Sequence, residues 1–178
     1  VERSEIRIAG TGGQGIVTAG RILAEAAVLS GSNATHSQVY GPQSRGGACR
    51  SDVVIATGEI GFPLAGDIDI LVILSIPAYA RYHAELGVDG CLLLDARCAP
   101  TSVDGAVRQF SVVDTARAVS GSEVATGVVA LGLLQALTGV VDAEALREAV
   151  AARVPAVHRL MNLAALSAGM GLVDGRAA

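Results

Sequence analysis

Lysine is absent from the 178 residues: all 13 basic side chains are arginines, scattered from Arg3 to Arg176, against 17 carboxylates and a formal net charge of -4. Without a clustered basic face the chain lacks the electrostatic footprint that binding nucleic acid demands, so no nucleic-acid partner is expected. Cysteine is scarce too. Cys49, Cys91 and Cys98 form no CxxC pair and no spacing suited to zinc or an iron–sulfur cluster, and an odd count does not read as a disulfide framework. A reduced, cytoplasmic setting is expected. The first residues, where Glu2, Arg3, Glu5 and Arg7 interleave charge with apolarity, are the opposite of the apolar core of a signal peptide, so secretion is not expected. His36, His83 and His158 lack carboxylate or cysteine companions at ligand spacing, so no metal site is expected. There is no internal repeat and no low-complexity segment.

What the sequence does have is apolar mass: 51% hydrophobic against 17% charged residues, enough to bury a sizeable core. One domain spanning residues 1–178 is expected. The charge-free stretch from Val124 to Val141 is about long enough to cross a membrane. Its Gly127, Gly132, Gln135, Thr138 and Gly139, flanked by Glu123 and Asp142, suit a helix buried on all sides better, so no membrane contact is expected.

Ile6 to Ala9 reads as a strand running into a glycine turn, followed by a helix on which Ile16, Ala19, Gly20, Leu23, Ala26 and Ala27 share one face, closed by Gly31. Ser32 to Gly47 reads mostly as loop, with a short strand near Ala34 to Ser37. Ser51–Ala56 and Glu59–Leu64, separated by Thr57-Gly58, predict a hairpin. Ile68–Leu74 has the continuous apolar character of a strand covered on both faces, and Pro77–Leu86 that of a helix. Cys91–Leu94 and Val107–Val113 add strands. Glu123–Leu137, Asp142–Val154 and Ala156–Ala168 follow as helices, with Asp142 a cap and Pro155 a break. The fold class expected is α/β: a Rossmann-like three-layer domain with a mostly parallel sheet, a β-hairpin insertion and a C-terminal helical block.

Gly10, Gly12 and Gly15 match GxGxxG between a strand and a helix, where backbone amides can face an anion. A dinucleotide site also needs a carboxylate about 20 residues on, yet no Asp or Glu occurs between Glu25 and Asp52. Three readings stand: a nicotinamide nucleotide site without its ribose carboxylate, glycines that let a helix pack close, or a seat for an anion or a partner subunit. The second constellation is Tyr40-Gly41-Pro42-Gln43-Ser44-Arg45-Gly46-Gly47. Its Arg45 offers a planar fork to carboxylate or phosphate beside a flexible Gly-Gly pair; alternatively it is a surface turn whose Arg45 pairs with Asp52. Ser75 reads as a helix cap rather than a nucleophile, since GxSxG is missing. Asp67 and Asp69 read as solvation of a strand entry, and Cys49 has no adjacent base to activate it.

GTGGQGIVTAGRILAEAA, YGPQSRGGACRSDVVIA, DIDILVILS and MNLAALSAG, in that order across residues 6 to 171, resemble the gamma subunit family of 2-oxoacid:ferredoxin (acceptor) oxidoreductases, the pyruvate/ketoisovalerate type. GGQG with YGPxxRGG is far rarer by chance than a lone GxGxxG. The resemblance implies oxidative decarboxylation of a 2-oxoacid to an acyl-CoA by a multisubunit enzyme. Thiamine diphosphate, magnesium and iron–sulfur clusters would lie in alpha, beta and ferredoxin-like partner subunits, with coenzyme A as co-substrate. This chain has no GDG segment followed by paired Asn, so it would contribute assembly and part of the coenzyme A or substrate site without catalysing alone. The positions carried over as cofactor or subunit contacts are Gly12, Gly13, Gln14, Gly15, Tyr40, Gly41, Ser44, Arg45, Gly46, Gly47 and Asn162. Where relatives carry Asn before an ALG-type segment, this chain has Gly127. The alternative is a stand-alone Rossmann-type nucleotide-binding protein.

Overall fold

The computed structural model describes residues 2–40, 47–98 and 107–174. Six strands form one sheet in the order β2-β3-β1-β4-β5-β6. In chain order the elements are β1 (Arg3–Thr11), α1 (Ile16–Leu29), β2 (Asn33–Val39), β3 (Ala48–Ala56), β4 (Ile68–Ile73), α2 (Ile76–Tyr82), β5 (Leu86–Asp95), β6 (Val107–Phe110), α3 (Val112–Ser120), α4 (Thr126–Thr138), α5 (Ala143–Arg153) and α6 (Arg159–Gly171). β1, β4, β5 and β6 pair in parallel, while β3 runs antiparallel to both β1 and β2. Only β3 is reversed, so the sheet is mostly parallel as its unbroken apolar runs predict.

Alternate residues of each strand feed two cores. Ile6, Ile8, Val72, Leu74 and Leu93 join the larger one with α1 and α3 to α6, while Leu71, Ile73, Leu92 and Leu94 join Ala78 and Tyr82 of α2 on the other face. Period-two alternation thus places helices on both sides and makes three layers. The uncharged α4 has Thr126 through Leu134 buried, as expected for a helix enclosed on all sides. Gly132 and Gly169 let α4 and α6 touch backbone to backbone: a β-carbon on Gly132 would lie 2.1 Å from Leu166 O, and one on Gly169 2.0 Å from Val129 O.

Three boundaries differ from expectation. The hairpin is β2–β3, not Ser51–Ala56 with Glu59–Leu64, and residues 59–64 form no strand. Both edges of β3 are taken, by β1 and β2, so residues 59–64 cannot fold back to pair with it. Val107–Val113 is strand only to Phe110. Asp95 Oδ2 accepts the Val113 N–H at 2.8 Å, capping α3 from a neighbouring strand, so Val112 and Val113 enter the core from a helix despite their β-branching. The helix expected over Pro77–Leu86 ends at Tyr82, followed by one 3-10 turn (His83–Glu85), and Leu86 already opens β5.

Candidate functional site

β1 ends at Thr11 and the chain turns into α1 through two residues in the left-handed region, Gly13 at φ +98 and Gly15 at φ +74. Side chains rarely adopt that conformation, which fixes glycine at both places. Gly15 is needed for space as well, since its β-carbon would sit 2.9 Å from Val124 O. Gly12 differs: it is exposed and a β-carbon there would meet nothing within 4 Å, so the fold does not require it. Gly127 donates its N–H to Gln14 O at 2.9 Å, and its own β-carbon would lie 2.8 Å from Gly15 O. The heads of α1 and α4 therefore meet at backbone distance, and a side chain in place of Gly127 would force them apart.

Gln14, between those glycines, is 2% exposed. Its Oε1 accepts the Thr11 N–H at 2.9 Å, and its Nε2 donates to Leu74 O at 3.1 Å and to Glu123 at 3.0 Å. The side chain holds the turn from within, and none of it faces outward. Glu123 is shared with Arg97 and Arg117. Burial works against its charge, but the Gln14 amide and both guanidiniums outweigh that and hold its carboxyl below the usual carboxylate range.

β1 and β4 are parallel neighbours, yet the chain leaves β1 for α1 on one face and leaves β4 for α2 on the other. The crevice beyond their carboxyl ends is where open α/β sheets bind ligands, and Gln14 bridges it through Leu74 O. Because β3 is reversed, its first residue Ala48 pairs with Thr11, and Cys49 pairs with Gly10. Gly47 therefore adjoins the glycine turn. Val39 pairs with Arg50, which brings Tyr40, 64% exposed, to the same rim. Gly41, Ser44, Arg45 and Gly46 lie outside the described residues; Tyr40 and Gly47 on either side of them stand at the same end of the sheet as the glycine turn. Asp52, the alternative partner for Arg45, is already engaged by Arg7 through two hydrogen bonds of 2.7 and 2.9 Å.

That Arg7 was not singled out by sequence reasoning. It is 3% exposed on the face of β1 under α2, bonded to Asp52 directly across the strand pair and to Glu85. Arg50 also reaches Glu85, at 3.0 Å, and Arg7, Arg50 and Arg81 surround the Tyr82 ring at 5.8, 5.4 and 5.6 Å. Burial would favour losing the proton, but Asp52 and Glu85 more than offset it and raise the Arg7 pKa. The signal was present as charge alternating through Arg3, Glu5 and Arg7, which marks one strand face; nothing local marked that face as covered.

Asn162 is 8% exposed, donates to His158 O at 2.9 Å, and lines an apolar cavity of about 300 Å³ with Gly15, Thr18, Val124, Val154 and Met161. The described carried-over positions thus separate into a rim (Gly12, Gly13 and Tyr40 exposed, Gly47 half-buried), an internal brace (Gln14) and a cavity wall (Gly15, Asn162). Ser75 caps α2 by accepting the Ala78 N–H at 3.3 Å. Asp69 accepts the Glu5 N–H at 2.7 Å. Burial pushes the Cys49 thiol up, and burial together with Asp95 pushes Cys98 up to about 11, so neither is a ready thiolate. Among the described residues no three His, Cys, Asp or Glu side chains converge as metal ligands.

Comparison with known proteins agrees with this arrangement. The family model for pyruvate ferredoxin/flavodoxin oxidoreductase matches residues 5–172. The 2-oxoglutarate synthase subunit KorC of Methanothermobacter thermautotrophicus is 37% identical over 96% of this chain and 95% of its own length. The ketoisovalerate oxidoreductase subunit VorA of the same organism is 36% identical over 92% of this chain but only 35% of its own. The crystal structure of the keto/oxoacid ferredoxin oxidoreductase gamma subunit from Geobacter sulfurreducens superposes with a TM-score of 0.84 at 38% identity, covering 98% of both chains. The fold is shared end to end with that gamma subunit, and this chain belongs to the pyruvate ferredoxin/flavodoxin oxidoreductase family.

Proposed function

We propose that this chain is the gamma subunit of a multisubunit 2-oxoacid:ferredoxin oxidoreductase, and that its exposed rim forms part of the coenzyme A or substrate site. The observation that supports the reading is that the ends of β2 and β3, which flank the second constellation at Tyr40 and Gly47, stand beside the glycine turn at the carboxyl end of β1. Gly12 is the sharpest part of it, because the fold leaves that position free to take a side chain. A glycine standing where the fold leaves room for a side chain suits close approach by another molecule. The described residues do not fit an iron–sulfur cluster or a metal centre, since Cys49 and Cys98 are buried with raised pKa values and no ligand group converges. Decarboxylation and electron transfer are therefore assigned to thiamine-binding and ferredoxin-like companion subunits. This chain supplies shape and hydrogen-bond donors.

The nucleotide-binding alternative loses support from the sheet itself. A dinucleotide fold places a parallel second strand beside β1 with a ribose-binding carboxylate at its end. Here the reversed β3 occupies that place, and β2 ends in Gln38-Val39.

The test uses the assembled complex. Gly12→Leu should leave the melting temperature of the chain unchanged while raising the KM for coenzyme A at least tenfold. Arg45→Ala should cost about 1.5–3 kcal/mol of anion binding, the range for a charge-assisted hydrogen bond. Unchanged KM values for both coenzyme A and the 2-oxoacid in both variants would remove the rim from the site.

A further inference from the structure

The cavity beside the head of α1 opens onto an apolar surface that the fold does not use. α6 buries Asn162, Ala165, Leu166 and Gly169, which suffices for its packing on α4. Its outward side and the turn before it leave Val157 83% and Leu160 84% exposed, and Val124, at the cavity wall, is 57% exposed. The helical stretch Ala156–Asp174 is apolar enough to cross a membrane by length and composition, yet only 28% of its most apolar window is buried. Contiguous exposed apolar surface of this kind marks a contact with another molecule. Between Arg153 and Asp174 the sequence holds one cation, Arg159, and no carboxylate. Arg159 donates to Ala151 O and has no ion pair among the described residues.

We infer that this face seats an element of a companion subunit of the same oxidoreductase, an apolar side chain filling the cavity and flanking carboxylates meeting Arg159. The inference rests on the gamma-subunit reading above. Three observations choose that occupant. A walled cavity of about 300 Å³ suits a protruding side chain ringed by weaker contacts. Arg159, which has no ion pair among the described residues, complements a carboxylate on the occupant. In the ketoisovalerate oxidoreductase relative a region 36% identical to this chain makes up 35% of a longer polypeptide, so there this fold is tethered to further protein.

The experiment co-expresses the chain with its thiamine-binding companions and measures assembly by affinity co-purification and sedimentation. Leu160→Glu and Val157→Glu change side chains already in solvent, and Thr18→Trp fills the cavity from its mouth. Each should weaken assembly at least tenfold with the melting temperature of the isolated chain unchanged. Val88→Glu, at a fully exposed site in β5, should leave assembly intact. Unaltered assembly in all three variants overturns the inference. So does assembly that survives while Leu160→Glu abolishes self-association of the chain or its binding to phosphatidylglycerol vesicles. A wild-type chain that joins no companion at all would instead overturn the subunit reading, and this inference with it.

Discussion

Arg7 carries an electrostatic load out of proportion to its place in an apolar strand. Removing the guanidinium alone would leave Asp52, 5% exposed, without its two short hydrogen bonds and with only the 3.4 Å contact to Arg50. Arg7→Leu is therefore expected to destabilise the chain by about 3–5 kcal/mol in urea unfolding, whereas the double variant Arg7→Leu/Asp52→Leu should recover most of that loss. Glu5, two residues earlier on the same face, titrates usefully. Burial opposes its charge, but hydrogen bonds from Gly66 and Asp67 N–H and from Arg3 prevail and hold its pKa below the ordinary 4.5. With the folded value depressed, its contribution is complete above the unfolded pKa and is lost as pH falls through the folded one. The melting temperature of Glu5→Gln should accordingly trail the wild type by a constant margin near neutral pH and converge with it in acid. A margin that widened on acidification would contradict the assignment. Sequence marked the glycine turn well, because strand, glycines and helix are contiguous. It could not mark Arg7, whose partners lie 45 and 78 residues away.

Among the elements, α4 and α6 have the least room to change. Their axes approach through Gly132 and Gly169, where an added methyl group would meet main-chain atoms that cannot rotate away. Gly132→Ala is expected to cost about 1–3 kcal/mol despite alanine's better helix propensity, read as a lowered urea midpoint. A neutral or stabilising result would show that the two helices slide apart without penalty. Most elements were legible from periodicity and caps, including Ser75 before α2 and Asp142 before α5, both of which accept the backbone N–H groups expected of them. Residues 59–64 misled because Ile60, Phe62 and Leu64 alternate like a strand, while strand formation also depends on a free edge that no local pattern records. Val112 and Val113 misled for a related reason: their helix is started by Asp95, from a different strand.

On the scale of the whole molecule, the sheet order decides which parts of the sequence become neighbours. The parallel character was readable from the apolar runs, but the reversal of β3 was not, because an antiparallel strand buried on both faces has the same composition as a parallel one. That reversal brings Tyr40 and Gly47, some 30 residues on in sequence, to the same end of the sheet as the glycine turn. Two pins bound the segment between β2 and β3: the Val39–Arg50 pairing on one side and Thr11–Ala48 on the other, with Arg7 and Asp52 fixing the register behind them. A shift of one residue in β3 would turn Asp52 into the apolar core and Val53 out of it. Inserting one residue between Ser51 and Val53 should therefore unfold the sheet. Inserting four Gly-Ser residues after Tyr40 should cost less than about 1 kcal/mol by urea titration, because closure entropy grows only slowly with length. The length of the span between Tyr40 and Gly47 is thus decoupled from the stability of the sheet that pins its two ends, so that span can be lengthened or shortened while the register of β2 and β3 stays as it is.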